Sequence, residues 1–375
     1  MNKNTKYIIL AGGLSGGPVT PLIAISQEWQ KHDENIMPVL VDLKKSASAI
    51  FAKDRKIPFH FIITGKLRRY WAWQNLISPF LLLIGLVQSI ILLRKYRPIA
   101  VLGAGGFVQI PLIVAAWLMR IPRFIHQQDV KPTLSNQICS MFANLVTTTF
   151  EFSIRDFLQG TGLGHKYITT DKVIWTGNPM LVPQSKITKK EALEEFKLHE
   201  KLPVLLVMGG GTGSQALNTL IIQALPELTK VVQVIHSTGR DKHEQRSHNN
   251  YHSFSFIENT DAAYKAADIV VSRAGIATLT ELAMHKKPSI IVPMPDTHQE
   301  YNAGLLYQTK SAIVLDQTEL TSESLIKTIR KILFDIDFQK QMTDNFQLLF
   351  PPHAANKIYK LITDFLNKQH DKSQS

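Results

Sequence analysis

Three apolar runs in this chain each end in a glycine cluster and pass at once into a helix-like segment, which leaves few folds open. Tyr7–Leu10 leads into Gly12–Gly17 and a helix from Pro21 to Gln30. Ile99–Leu102 leads into Gly103–Gly106 and a helix from Pro111, and Val204–Met208 leads into Gly209–Gly213 and a helix over Gln215–Leu225. A strand that is apolar throughout has both faces covered, the condition of a parallel sheet held between helices. Runs at Phe124–Ile125, Leu145–Phe150, Val231–Ile235, Ile269–Val271 and Ile290–Val292 extend the pattern, and Asp42 ends the strand after the first helix. The fold class read from this is α/β, as two Rossmann-like domains with parallel sheets facing a central cleft.

At 375 residues the chain exceeds one ordinary core. A first domain is expected over residues 1–180 and a second over 181–349, with the linker near Pro179–Lys201. A helix at 350–367 is expected to pack back toward the first domain, and a polar tail at 368–375 to lack fixed structure.

Apolar residues at 45% and charged residues at 19% exclude disorder for the bulk of the chain. The formal charge of +12 calls for an anionic partner, which nucleic acid, anionic lipid and phosphorylated substrates all satisfy. No RNA-binding motif accompanies the basic residues, so nucleic acid is not expected. The single cysteine, Cys139, excludes an intrachain disulfide and a cysteine-based metal cluster. Asp335-Ile336-Asp337 resembles a metal-binding acid pair but lies late in the chain, between helical stretches and away from the glycine loops. No metal and no cofactor are expected.

The first apolar run is too short for a secretory signal. The longest greasy stretch, Phe80–Leu93, falls short of the roughly 18 apolar residues of a spanning helix. No transmembrane segment is expected. Arg68, Arg69, Trp71 and Trp73 precede that stretch, Phe80 opens it, and Arg94, Lys95 and Arg97 follow it. Basic and tryptophan-rich flanks around an apolar helix suit an anionic membrane surface, so peripheral attachment on the cytoplasmic face is expected.

Glycine loops between strand and helix let backbone N–H groups approach a phosphate, with the helix dipole in support. Three such loops on two domains point to a diphosphate. A dinucleotide-binding dehydrogenase is the rival reading, since Gly13 and Gly16 fall near fingerprint positions and Asp42 sits where a ribose-binding acid belongs. It leaves the glycine loop of the second domain unexplained. Between Asp268 and Asn302 the turn Ser272-Arg273-Ala274-Gly275 precedes a helix carrying Glu281, and PMPDTHQEYNA follows the next strand. A small-residue turn at a helix start takes a diphosphate, a carboxylate one turn in accepts ribose hydroxyls, and the amides Gln299 and Asn302 suit sugar hydroxyls.

Taken in order, these stretches resemble the MurG family of UDP-N-acetylglucosamine-dependent N-acetylglucosaminyltransferases of peptidoglycan synthesis. The resemblance runs from the first glycine loop to about Leu315. It includes Gly13–Gly17, GGF at Gly105–Phe107, HQQD at His126–Asp129, GNP at Gly177–Pro179 and GGGTG at Gly209–Gly213. FIE at Phe256–Glu258, SRAG…TLTE at Ser272–Glu281 and HQEYNA at His298–Ala303 complete it. It implies the GT-B fold, an inverting transfer without a bound metal, UDP-N-acetylglucosamine as donor, and a polyprenyl-pyrophosphoryl-muramoyl-peptide acceptor. It also implies uracil near Ile257, ribose on Glu281, and phosphates at Gly211, Thr212 and Gly213 and at Ile276, Ala277 and Thr278. The donor sugar falls near Gln299 and Asn302. Ser15, Gly16, Gly17 and Asp129 are implied on the donor, and Gly16, Gly17, Gly105 and Gly106 beside acceptor phosphates.

The chain departs from the family pattern in the first domain. Pro18 replaces a histidine, Phe107 a tyrosine, Gln127 a glutamate, Asp129 an asparagine and Leu181 an arginine. An inverting transfer needs a base at the acceptor hydroxyl. Asp129 is the candidate, with His126 as the reserve. The alternatives are another lipid-acceptor glycosyltransferase of the same fold and a catalytically weak, membrane-associated UDP-sugar-binding protein.

Overall fold

The computed structural model describes residues 4–13, 16–65, 74–159, 168–181, 187–210, 213–239, 248 and 250–374. It divides into two compact units, Met1–Leu181 with Pro351–Ser375, and Val182–Phe350. Each is built on a fully parallel sheet.

In unit 1 the strands are β1 (Lys6–Ala11), β2 (Ile36–Asp42), β3 (Phe59–Phe61), β4 (Ala100–Gly103), β5 (Arg123–Gln127), β6 (Leu145–Thr148) and β7 (Val173–Trp175). Their order is β3-β2-β1-β4-β5-β6-β7, so the chain winds outward from β1 in one direction and from β4 in the other. The reversal of winding thus falls between β1 and β4, and at the carboxyl ends of such a pair doubly wound sheets take their ligands. Ile8, Ile9, Leu10 and Ala11 are fully buried, because helices cover both faces of the sheet.

Helix α1 (Gly16–His32) begins within the glycine cluster, five residues before the expected start at Pro21. Pro18 lies in its first turn, where a missing N–H breaks no helical bond. The expected 80–93 segment is longer than its apolar run: α3 spans Gln74–Tyr96. Its window Ile77–Tyr96, with mean hydropathy 2.0, is long and apolar enough to cross a membrane by length and composition. One face is nonetheless committed to the unit. Leu92 and Leu93 are buried in its core, and Leu82, Leu86 and Ile90 pack against the same cluster.

Unit 2 carries β8 (Val204–Met208), β9 (Gln233–Ser237), β10 (Tyr251–Phe254), β11 (Ile269–Ser272), β12 (Ser289–Ile291) and β13 (Ile313–Val314). The order β10-β9-β8-β11-β12-β13 repeats the winding of unit 1, with the reversal between β8 and β11. The final helix, α14 (Ala354–Gln374), belongs to unit 1. Its Ile358 and Ile362 are buried with Leu22, Ile25 and Trp29 of α1, and Asn356 donates to Glu28 (2.8 Å). The helix continues through 368–374, where sequence polarity pointed to an unstructured tail. Those residues have no apolar face, yet lysine and glutamine sustain a helix already begun.

Candidate functional site

In unit 2 the loop after β8 turns through Gly213 (φ +69°) before entering α8 (Gln215–Leu228). A side chain at Gly213 would strike the Thr238 carbonyl, so both conformation and space require glycine. Ser214 caps α8, its hydroxyl accepting from Leu217 N (3.4 Å). That same oxygen accepts from Nη2 of Arg273 (2.6 Å) in the loop after β11. Arg273, 5% exposed, also donates to the carbonyls of Val292 (3.0 Å) and Pro293 (2.9 Å) and to Gln317. One buried guanidinium thus pins the loops after β8, β11 and β12. Gly211 and Thr212 lie outside the described residues, as does Ser15 of the first loop.

Helix α10 (Ile276–His285) follows, with Gly275 at its N-cap and no side chain capping it. The space a side chain at Gly275 would occupy is open. The backbone N–H groups at Ile276, Ala277 and Thr278 form the positive end of the helix dipole there. Glu281 lies further along α10 and accepts from the Tyr264 hydroxyl (3.0 Å). Burial pushes its carboxyl up to about 7, against the lowering effect of that bond. Asn302 in α11 (Gln299–Gln308) is buried and donates to the Ala274 carbonyl (3.0 Å), fixing the turn before α10. Gln299, in the first turn of α11, accepts from Met294 N (3.1 Å) through Oε1, and Ile257 is buried in the loop after β10.

In unit 1 the two glycine loops meet backbone to backbone. Gly106 (φ +81°) lies so close to Gly13 that a side chain at Gly106 would come within 2.5 Å of the Gly13 Cα. Gly17 is in the first turn of α1, where Gly16 is the first residue. Gly105 leaves open space and donates its N–H to Gln109 Oε1 (3.2 Å). Gln109 donates to Asn136 (2.6 Å), Asn136 donates to Gln127 Oε1 (2.6 Å), and Gln127 donates to the carbonyls of Asp129 (2.8 Å) and Lys131 (3.0 Å). This buried relay of amides ties the loop after β4 to the loop that carries Asp129. His126 is buried with both nitrogens engaged, at Thr147 Oγ1 (3.0 Å) and Asn178 Oδ1 (3.0 Å). An amide oxygen only accepts, which places the ring proton on Nε2, and burial lowers the His126 pKa to about 4. The imidazole is neutral and occupied. Asp42, which the dehydrogenase reading needs open to a ribose, is fully buried and accepts from Leu43 N (2.7 Å) and the Ser48 hydroxyl.

Residues 8–148 match the N-terminal domain of glycosyltransferase family 28, and residues 204–361 match its C-terminal domain. A Thermoanaerobacter sp. (strain X514) protein named UDP-N-acetylglucosamine–N-acetylmuramyl-(pentapeptide) pyrophosphoryl-undecaprenol N-acetylglucosamine transferase is 30% identical over 95% of this chain and 99% of its own. The chain belongs to glycosyltransferase family 28. A Desulforamulus reducens protein of the same name is 31% identical over 96% of this chain and 99% of its own. Among solved structures, Acinetobacter baumannii MurG superposes with a TM-score of 0.71 at 23% identity, covering 96% of this chain and 99% of that one. A Staphylococcus aureus MnaA–UDP structure superposes at 0.68 with 13% identity, covering 97% of each chain. The architecture is the GT-B fold.

Within this family 28 member, the unusual residues of unit 1 have clear physical places. Pro18 packs on Gly13, Phe107 against the unit-1 core, and Leu181 against the cluster that holds α14. Gln127 does what a carboxylate cannot, since its amide donates to two carbonyls. Gln127→Glu is expected to destabilise unit 1 by about 2 kcal/mol at neutral pH. The defect should ease below about pH 5, where the acid protonates and donates again. Urea unfolding at pH 7.5 and pH 4.5 measures it. Arg273 and Tyr264 escaped the sequence reading as site residues; Arg273 lay in plain view within the SRAG motif, whereas Tyr264 reads only as a core residue of a helix. Asp335, the first of the acid pair set aside as a metal site, caps α13 (Ile336–Leu349) by accepting from Phe338 N (2.9 Å).

Proposed function

We propose that this glycosyltransferase moves N-acetylglucosamine from UDP-N-acetylglucosamine, with inversion, to the muramoyl 4-hydroxyl of a polyprenyl-pyrophosphoryl-muramoyl-peptide. The observation that carries the reading is the similarity, over 95% of the chain, to a relative bearing that activity in its name. In unit 2 the open N-terminus of α10 balances the donor diphosphate, Glu281 receives the ribose, and Ile257 borders the uracil. Gln299 and Asn302 lie on the sugar side. In unit 1 Asp129 takes the proton of the acceptor hydroxyl. That oxygen bonds to the sugar C1 as the bond from C1 to the diphosphate breaks, and UDP leaves carrying the electron pair. His126 orients the strand end beside Asp129 and transfers no proton.

Attachment to the cytoplasmic face of the membrane runs through α3. Ile77, Phe80, Ile84, Val87 and Ile91 recur at alternating spacings of three and four and are all exposed, Phe80 at 69% and Ile91 at 62%. Such spacing lines up on one face of a helix. Arg94 and Lys95 close that helix with positive charge. With the opposite face held in the core, α3 lies along the lipid surface instead of crossing it. Arg68, Arg69, Trp71 and Trp73, also expected at the surface, lie outside the described residues. Phe80→Ser with Ile84→Ser is expected to weaken binding to anionic phospholipid vesicles by tenfold or more, at roughly 1.5–3 kcal/mol per fully inserted side chain. UDP affinity should be unchanged. Co-sedimentation and calorimetry check the two halves.

The assay for the function is UDP release from UDP-N-acetylglucosamine with a short-chain lipid-linked muramoyl-peptide. Release is expected only when both substrates are present. Release with a different glycolipid alone would move the assignment to another lipid acceptor. Binding of the sugar nucleotide with no release to any acceptor would make the chain a binding protein.

A further inference from the structure

Glu281 sits where a charged group is costly, since burial favours the neutral acid. A carboxylate that is to receive two ribose hydroxyls has to be ionised and correctly turned. Helix α9 (Thr260–Ala266) supplies a group suited to both tasks. Its Tyr264 is fully buried, and the hydroxyl donates to Glu281 Oε2 (3.0 Å).

The phenol ring is itself fixed. It lies flat against the imidazole of His285 in the last turn of α10, with centroids 4.9 Å apart and planes 13° apart. His285 Nε2 lies 3.4 Å from Asp261 Oδ1 in the first turn of α9. The two helices are therefore joined by the Tyr264–Glu281 hydrogen bond and by the stacked rings of Tyr264 and His285. Lys265 of α9 and Lys287 beyond α10 are the cations that bear on His285, and Tyr264 is the titratable group that bears on Glu281. Burial lowers His285 to about 4, and burial with the neighbouring Glu281 raises Tyr264 well above the ordinary phenol range. Tyr264 is thus a hydrogen-bond donor toward Glu281 at every working pH, and a donor favours the carboxylate over the acid.

We propose that Tyr264 is a positioning residue for nucleoside recognition, its hydroxyl turning the Glu281 carboxylate to receive the ribose diol of a uridine nucleotide. The inference rests on the assignment of ribose to Glu281. Binding then requires the carboxylate. Affinity is full above the Glu281 pKa of the free protein and falls as pH drops below it.

The test is calorimetric titration of the full chain with UDP from pH 5.5 to 8.5, on the unsubstituted protein, Tyr264→Phe, Glu281→Gln and the double variant. Glu281→Gln supplies the reference curve that cancels the ionisation of the nucleotide phosphate. Phenylalanine keeps the ring stacked on His285 and removes only the donor. Tyr264→Phe is expected to lose about tenfold in affinity at pH 7 and to shift the pH midpoint upward by about one unit. It should cost nothing further in the Glu281→Gln background. Equal losses in both backgrounds would make Tyr264 a core residue and overturn the inference, as would an unchanged affinity and midpoint. UDP binding by Glu281→Gln as tight as that of the unsubstituted protein would sink the ribose assignment itself. A weakened Glu281→Gln beside a silent Tyr264→Phe would sink only the role of Tyr264.

Discussion

Asp129→Asn is expected to lower turnover by about 10²–10⁴-fold, the range for removing a positioned base, while UDP-N-acetylglucosamine affinity stays within about twofold. Gln127 anchors the backbone of this loop by donating to the carbonyls of Asp129 and Lys131. Asparagine keeps the shape of the side chain and removes its capacity to take a proton. His126 offers no substitute, being neutral, buried and bonded at both nitrogens. Single-turnover rates with saturating donor measure the chemical step. Rates equal to those of the unsubstituted protein would remove Asp129 from the reaction.

Arg273→Ala is expected to abolish useful donor binding, with at least about a hundredfold loss in UDP affinity, and to destabilise unit 2 by roughly 3–5 kcal/mol. The guanidinium satisfies Ser214, Gln317 and the carbonyls of Val292 and Pro293 together. Removing it strands these acceptors and frees the loops after β8, β11 and β12 from one another. Lysine restores the charge but not the planar fork, so Arg273→Lys should recover little of either loss. Denaturant unfolding and UDP calorimetry separate the two effects. Full affinity in the lysine variant would show that charge alone, and not the bridge, is what the site uses.

The interior strands of both sheets were legible because burial on two faces forces apolar runs such as Tyr7–Leu10 and Val204–Met208. The edge strands β3, β7, β10 and β13 were not. Phe59-His60-Phe61 and Tyr251-His252-Ser253-Phe254 are short and carry polar residues, as a strand with one neighbour permits. β9 was read two residues early because its end, His236-Ser237, is polar. His236 there bonds Tyr251 and Asn218, partners that no local pattern discloses.

The same limit governed the site. Glycine loops and the position of Glu281 are local features that sequence displays directly. The bonds from Arg273 to Ser214 and Gln317 span 59 and 44 residues, and those of His126 to Thr147 and Asn178 span 21 and 52. Side chains joined by the winding of the sheet leave no spacing to read. Gln127 looked like a lost carboxylate for that reason, and its value as a double donor emerged only with its partners.

The most direct measurement of the central claim is mass spectrometry and NMR of the lipid product formed from UDP-N-acetylglucosamine and the short-chain muramoyl-peptide acceptor. The account predicts addition of one N-acetylhexosamine, β-linked at the muramoyl 4-hydroxyl, with one UDP released per product. An α-linked product, a different site of attachment, or UDP release with no glycosylated lipid would contradict it.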